Sequence, residues 1–471
     1  MNSPTTAVEA YGAWLAETPA DWPDEALHSA KREFIDQIAV SVAGAVEPCT
    51  LLAFEVVSDW GNGPATAIGF SRKLAAPWAA LVNGTSGHAL DYDDNFDPPK
   101  AHATTVLVPA ILALGEQEGA DGPACLDAYI CGLQIMGRVG QGVNPVHRNR
   151  GWHATATVGA IGAAAAAARL LKLDSVKAAR AISLATSMAA GFMSQFGTMA
   201  KPLHAGLAAK AGVMAASFAK AGMTASMNTL EGRTGMNHLM VGPDYETLRD
   251  SLTNPEHGQT LRYKTESIGS PLLITEHGFR VKRFANCGAS HRSIDALLFL
   301  RDRHGFTADT VERVDVHLPQ VHRNNLMYDR PENGLQSKFS FPYCLAVALG
   351  EGAVSLSDFT DEGVKRPHIR ALYEKIHLHP VDKLEGEFPT TVEITLTSGD
   401  VLRETREWPE GSKWKPFPDA QYWSKFADCT QGLLPEQNTA DVKQALDTIR
   451  SLDSIRTLMN PLGVDLKKDV S

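Results

Sequence analysis

Residues 154–171 are built mostly from alanine and glycine, with Gly159-Ala160-Ile161-Gly162-Ala163-Ala164 at the centre. A stretch so poor in Leu, Ile and Phe transfers weakly into lipid despite its length, so it reads as a buried helix and not as a membrane span. Small side chains let helix backbones approach closely, and this run therefore calls for a compact core of several helices around it. Close packing explains the glycines better than a phosphate-binding loop does.

The rest of the first half has the same texture. Leu27, Ala30, Phe34 and Ile38 fall at helical spacing after Pro23 and the acidic pair Asp24-Glu25, which suit the positive end of a helix. Helical spacing recurs over 75–82, 106–114, 125–139 and 176–188, the last with Asp174 as its cap. Beyond about residue 270 the period changes to two. Val314, Val316 and Leu318 alternate with polar residues, as do Val392, Ile394 and Leu396 before a Ser398-Gly399-Asp400 turn and a further run from Val401. Helical stretches at 293–301, 343–349 and 369–375 separate these strands. A Pro- and Trp-rich connection over 408–423 then leads to helical spacing at Val442, Leu446, Ile449 and Leu452. The pattern predicts a mainly α fold: a large all-helical domain over 1–270, a smaller α+β lid domain over 271–404, and a C-terminal return to the helical domain over 405–471.

With 471 residues, 44% hydrophobic and 21% charged, the chain can bury a large core and is not disordered. A net charge of −10 without a long Lys/Arg run argues against nucleic acid as a partner. The segment Met1-Asn2-Ser3-Pro4-Thr5-Thr6-Ala7-Val8-Glu9 has neither the basic region nor the apolar core of a secretory signal, so a cytoplasmic protein with no membrane partner is expected. The six cysteines contain no Cys-x-x-Cys pair, which speaks against a zinc ribbon or an iron–sulfur cluster and for reduced thiols.

Chemistry-bearing residues gather in a few places. His88-Ala89-Leu90-Asp91-Tyr92-Asp93-Asp94, followed by Asn95, Asp97, Lys100 and His102, lies directly before an apolar helix. A lone Asp pair there would be a solvated turn; two histidines and a lysine between apolar helices favour a site. Its carboxylates could serve a hard divalent ion, but the spacing lacks the Gly and terminal Glu of a calcium loop, and no metal is expected. His147-Arg148-Asn149-Arg150-Gly151-Trp152-His153 precedes the alanine-rich helix. On its own His153 reads as a structural histidine; beside Arg150 at a helix start it could also hold a carboxylate or pass a proton. Lys201 precedes Pro202 and is expected in a stiff turn, where it could pair with a substrate carboxylate. Lys282-Arg283-Phe284, Cys287, His291 and Phe339-Ser340-Phe341-Pro342-Tyr343 complete the set. Tyr343, in an apolar stretch, reads on residue type alone as a core tyrosine.

Taken in order, Asn83-Gly84 with His88-Ala89-Leu90-Asp91-Tyr92-Asp93-Asp94, Gly151-Trp152-His153, Lys201-Pro202-Leu203-His204, Lys282-Arg283-Phe284 and Phe341-Pro342-Tyr343 resemble the MmgE/PrpD family over nearly the whole chain. That family includes 2-methylcitrate dehydratase, cis-aconitate decarboxylase and iminodisuccinate epimerase. The resemblance implies a homodimer that acts on a small polycarboxylate without metal or organic cofactor. By motif it assigns Asp91, His102, His153 and Tyr343 to catalysis and Lys201 to the active site. Asn95 stands where the decarboxylase pattern has Thr, and Cys287 where it has His. His102 is followed by Ala103-Thr104-Thr105 in place of the dehydratase continuation.

The reactions of such a family move a proton at a carbon beside a carboxylate, so negative charge builds on that carboxylate and fixed cations are needed. Lys201, Lys282 and Arg150 can supply them, with Asn95 as a polar contact, while His102, His153 and Tyr343 can move protons. The expected function is a cofactor-independent lyase of the dehydratase or decarboxylase type. An epimerase in the same site is the near alternative, and a non-catalytic helical binding module the remote one.

Overall fold

The alanine-rich segment forms a helix, Ala154–Leu170, and every residue from 154 to 168 is buried. The computed structural model describes residues 5–253, 255–381 and 389–466. In chain order the helices that frame this segment are α1 (Ala7–Glu17), α2 (Asp24–Gly44), α3 (Pro48–Ser58), α4 (Ala76–Ala89), α5 (Thr104–Glu118), α6 (Gly122–Gln141), α7 (Val146–Asn149), α8 (Ala154–Leu170), α9 (Ser175–Thr186) and α10 (Ala200–Lys220). Capping follows the sequence. Asp174 accepts from the Lys177 N–H at the start of α9, and Asp121 does the same for Ala124 at the start of α6. Gly119, at a φ of 72°, ends α5 in the left-handed conformation that glycine adopts without strain.

Helix α10 packs against α4 and α8, and α8 also packs against α6. These crossings are closer than ordinary side chains permit. A Cβ built on Gly206 of α10 would lie 2.2 Å from the Leu81 carbonyl oxygen of α4, and one on Gly212 would lie 2.3 Å from the Ala163 Cβ of α8. Among the described residues no single helix is long and apolar enough to cross a membrane.

The described residues up to Phe279, together with those from Pro418 onward, make one compact unit, and Arg280–Phe417 makes a second. The first unit reaches past residue 270 because the short helix Leu273–Glu276 packs on α2 and α6. It resumes at Pro418 because the helix Asp419–Thr430 packs on α2. In the second unit the strands β2 (Val311–Pro319), β3 (Ile376–Val381), β4 (Thr390–Leu396) and β5 (Val401–Arg406) form one sheet in the order β3-β2-β4-β5; the short strand β1 (Asn62–Ala65) belongs to the first unit. Val314 pairs with Ile394 and Val316 with Val392 across the antiparallel β2–β4 ladder, and all four are buried. The helix His291–His304 packs on β4 and β5 and on the helix Phe341–Glu351. Strand β3 is absent from the sequence reading, since Pro380 interrupts a short His-rich run. The strand pairs parallel with β2 at the edge of the sheet, the place where a strand proline is tolerated.

The α4–α10 crossing generates a direct test. Gly206→Ala should lower stability by on the order of 3 kcal/mol, the upper part of the range for overpacking, because its new methyl group meets backbone and not a yielding side chain. The midpoint of urea unfolding measures it; an unchanged midpoint would mean that the helices separate without cost.

Candidate active site

Helix α4 ends at Ala89, and two residues later Asp91 adopts a left-handed backbone with a φ of 52°. Aspartate tolerates that region better than most residues because its short polar side chain can bond locally. The turn aims the acidic side chains of the loop at different partners. Asp93 Oδ2 lies 2.8 Å from His88 Nδ1 and 3.3 Å from His102 Nδ1. Asp91 Oδ1 accepts from the Lys201 ammonium at 2.6 Å, with His102 Nε2 3.9 Å away. His102 is tied to α8 through its backbone N–H, which donates to the Thr155 hydroxyl at 3.1 Å.

His153 is the N-cap residue of α8, and its own N–H donates to the Gly191 carbonyl at 3.0 Å. Its ring Nδ1 lies 3.0 Å from Nδ1 of His204. The His88 ring centre is 4.5 Å from that of His102 and 6.1 Å from that of His153, and Phe196 stands edge-on to His153 at 5.0 Å. Lys201 and His204 are three residues apart on α10, a spacing that places both on one helix face. The structure corrects the expected stiff turn at Lys201. This residue is the second of α10 and Pro202 the third, where a missing N–H costs no intrahelical bond.

Burial governs the protonation of this cluster. It pushes His88 down to about 3 against the pull of Asp93, with Lys201 and His102 adding to the effect. It also holds His153 well below the usual imidazole range, helped by Lys201 and the neighbouring imidazoles, and lowers His204, helped again by Lys201. Burial alone would raise Asp93, but His88 and His102 together hold it well below the usual carboxylate range. At neutral pH the cluster thus contains an ionised Asp93 beside a neutral His88. A His88 that donates its Nδ1–H to Asp93 carries its lone pair on Nε2, and that nitrogen is buried and forms no hydrogen bond among the described residues. This is the arrangement of an oriented general base.

Ligand atoms of His88, Asp91, Asp93 and His102 lie within 4.8 Å of one another, close enough to surround a cation. The Lys201 ammonium, 2.6 Å from Asp91, already supplies positive charge at that point, and a divalent ion would meet its repulsion. We therefore read the group as acid–base machinery.

Of the residues singled out in the sequence, Asp91, His102, His153 and Lys201 come together here. Asn95 is half-buried on the same loop. Arg150 points elsewhere: its guanidinium is well exposed and pairs with Asp244 at 2.7 Å. Lys282 is buried in the second unit. Tyr343, also in that unit, is fully buried, and its phenol donates to the Asp358 carbonyl with Arg366 3.5 Å away. A phenol held to backbone in this way is what residue type alone predicts for a core tyrosine, and the proton-transfer role that the family motif gives Tyr343 is carried forward as a proposal. The sequence reading contained His88, Asp93 and His204 within its motifs but gave none of them a role of its own. The signal for His204 was its spacing of three from Lys201, whereas nothing in the periodicity marks His88 and Asp93 as partners across a helix end.

The buried imidazoles set the behaviour in acid. Groups whose pKa is lower in the folded than in the unfolded chain contribute stability that is present above the unfolded value and lost as pH falls. His88 and His147 are both held down to about 3, and His153 and His204 are also lowered. The urea midpoint should therefore fall steadily as pH drops below about 6.5, the ordinary imidazole value. The buried carboxyls Asp94 and Glu33, which are raised, act in the opposite sense over this range but are outnumbered by the four histidines, so a midpoint that rises from pH 6.5 to 5 would show that these histidines are not buried neutral.

Comparison with known proteins adds an independent line. The profile of the MmgE/PrpD N-terminal domain matches residues 12–248 and that of the MmgE/PrpD C-terminal domain residues 284–448. Curated relatives include cis-aconitate decarboxylase of Aspergillus terreus (strain NIH 2624 / FGSC A1156), 26% identical over 95% of this chain and 94% of its own. The cis-aconitate decarboxylase of Homo sapiens is 25% identical over 92% and 90% of the respective chains, and that of Mus musculus 26% identical over 82% and 78%. Two profile matches that together span most of the sequence place the chain in the MmgE/PrpD family.

Proposed function

We propose that this protein is a cofactor-independent lyase of the dehydratase or decarboxylase type, acting on a small di- or tricarboxylate by proton transfer at a carbon next to a carboxylate. The observation that carries the reading is the Asp93–His88 pair beside Lys201: an oriented neutral base and a fixed cation in one buried cluster. In this scheme a substrate carboxylate takes over the Lys201 ammonium from Asp91, and Lys201 offsets the charge that develops as the neighbouring carbon gains or loses its proton. His88, His102 and His153 carry the protons, and the family motif adds Tyr343 to them. In a dehydration the proton removed from carbon is matched by one delivered to the departing hydroxyl, which leaves as water. In a decarboxylation carbon dioxide leaves and an imidazole returns a proton to the carbon. Lys282, as a further cation, and Asn95, as a polar contact, are the other proposed substrate-binding residues. Arg150, paired with Asp244, is the weakest of the proposed contacts.

The decarboxylase relatives support a lyase. Citrate, methylcitrate, aconitate and iminodisuccinate isomers supplied in deuterated water test the reading. Elimination of water, or loss of carbon dioxide with one deuterium delivered to the carbon it leaves, is expected, unaffected by a chelator, and turnover of none of them would overturn it. His153→Ala should lower kcat by ~10², the usual scale for a lost acid–base group. Lys201→Met should chiefly raise KM for the polycarboxylate and spare a neutral ester. We further propose a homodimer, which light scattering should report as twice the 50.7 kDa chain mass.

A further inference from the structure

Behind the catalytic loop lies a second set of acids that the chemistry above does not use. Glu33 and Asp36 from α2 and Asp94 from the loop are all buried. Asp36 has a counterion, the Lys425 ammonium at 2.7 Å, and that lysine also donates to the Tyr92 carbonyl at 2.8 Å and lies 3.8 Å from the centre of the Tyr92 ring. Asp93 faces His88 and His102. Asp94 Oδ1 accepts from the Thr104 N–H at 3.1 Å, and its Oδ2 finds no hydrogen-bond partner. Glu33 Oε2 is likewise buried without one. Among the described residues neither Asp94 nor Glu33 forms an ion pair. The other titratable groups that face them are Tyr129 of α6, whose hydroxyl lies 2.8 Å from that of Thr104, Tyr422 of the helix Asp419–Thr430, and Arg32 of α2. Arg32 is taken up by Asp419 at 2.5 Å.

Two buried carboxylates with no salt-bridge partner of their own cannot both ionise without a large desolvation and repulsion cost. We propose that Asp94 and Glu33 retain a proton at neutral pH as a carboxyl pair, and that this pair is a positioning element which lets Asp93, next in the chain, remain the one ionised carboxylate facing His88. The direction of both groups agrees with the inventory of charges. Burial and then Asp93 raise Asp94 to about 8, and burial followed by Asp94 and Asp36 raises Glu33 well above the usual range. The role in positioning rests on the proposed acid–base reading; the retained proton does not.

Difference infrared spectroscopy of the whole protein tests the proton itself. The C=O stretch of a protonated carboxyl should be present at pH 7, shift in deuterated water and vanish in the double variant Glu33→Gln/Asp94→Asn. Its absence from the wild type at pH 7 would overturn the proposal. Stability supplies a second measurement in case the double variant does not fold. A carboxyl raised in the folded state binds a proton that the unfolded chain has released, so stability falls as pH rises toward the folded value. Between pH 7 and 8 the lowered histidines still oppose this fall, since an unfolded imidazole is roughly one-quarter protonated at pH 7, and the buried thiols begin to add to it by about pH 8, so the difference in slope between wild type and variant isolates the pair. There the wild-type folding constant should fall by up to tenfold for each retained proton, and Asp94→Asn or Glu33→Gln alone should flatten the fall. Equal slopes in the wild type and in both single variants over this interval would refute the retained proton. For positioning, the wild-type kcat should decline on the alkaline side over the pH range in which the infrared band disappears, and Asp94→Asn should move that limb upward. A limb that does not move would remove the positioning role, and failure to turn over any polycarboxylate would sink the lyase reading while leaving the infrared result intact.

Discussion

The close approach of α4, α8 and α10 is the constraint on which the site depends. His88 is in the last turn of α4, His153 caps the start of α8, and Lys201 and His204 are in the first turn and a half of α10. Their separations are therefore set by how closely the three helices cross. Gly84 lies against Gly206, where an added Cβ would come within 2.9 Å of the opposing Cα. Bulkier side chains at that contact would push α4 and α10 apart and move His88 away from the Lys201 end of the site. The small residues of this core thus do two things at once: they satisfy packing density, and they hold acid–base groups from distant parts of the chain within hydrogen-bond reach.

Desolvation explains why these groups behave as they do. With water excluded, a histidine stays neutral even beside a carboxylate, and a carboxylate stays charged only where donors or cations address it. Asp93 meets that condition through two imidazoles, Asp36 through Lys425, and Asp91 through Lys201. The loop from Asp91 to Asp94 therefore distributes three acids among three environments, and the positive φ at Asp91 is the local backbone feature that begins this divergence.

Much of the architecture was legible in the sequence because it rests on local rules. The period of apolar residues marked α2, α5, α6, α9 and the strands β2, β4 and β5, and Asp174 announced its own helix start. Strand β3 escaped because pairing, not composition, makes it a strand. Within the site, the ordered motifs brought Asp91, His102, His153 and Lys201 forward, but they could not show which side chain faces which. His88 and Asp93 are partners only because α4 stops between them, and Tyr343 meets the Asp358 carbonyl, 15 residues further on, through a contact that no motif encodes. The position of Lys201 shows the same limit from the other side: a following proline breaks a helix in its interior but not in its first turn.

The contact between His153 Nδ1 and His204 Nδ1 has a consequence of its own. A neutral imidazole carries a single N–H, and a hydrogen bond between these two nitrogens needs one hydrogen on one of them. The ring that supplies it has a bare Nε2, while the ring that accepts it must keep its hydrogen on Nε2. The two outer nitrogens are therefore always unlike, one a donor and one an acceptor, and moving the shared hydrogen across 3.0 Å requires both outer nitrogens to exchange roles together. The pair behaves as a complementary couple with two settings, each the mirror of the other in hydrogen-bond sense, and a group contacting His153 Nε2 would select the setting by its own donor or acceptor character.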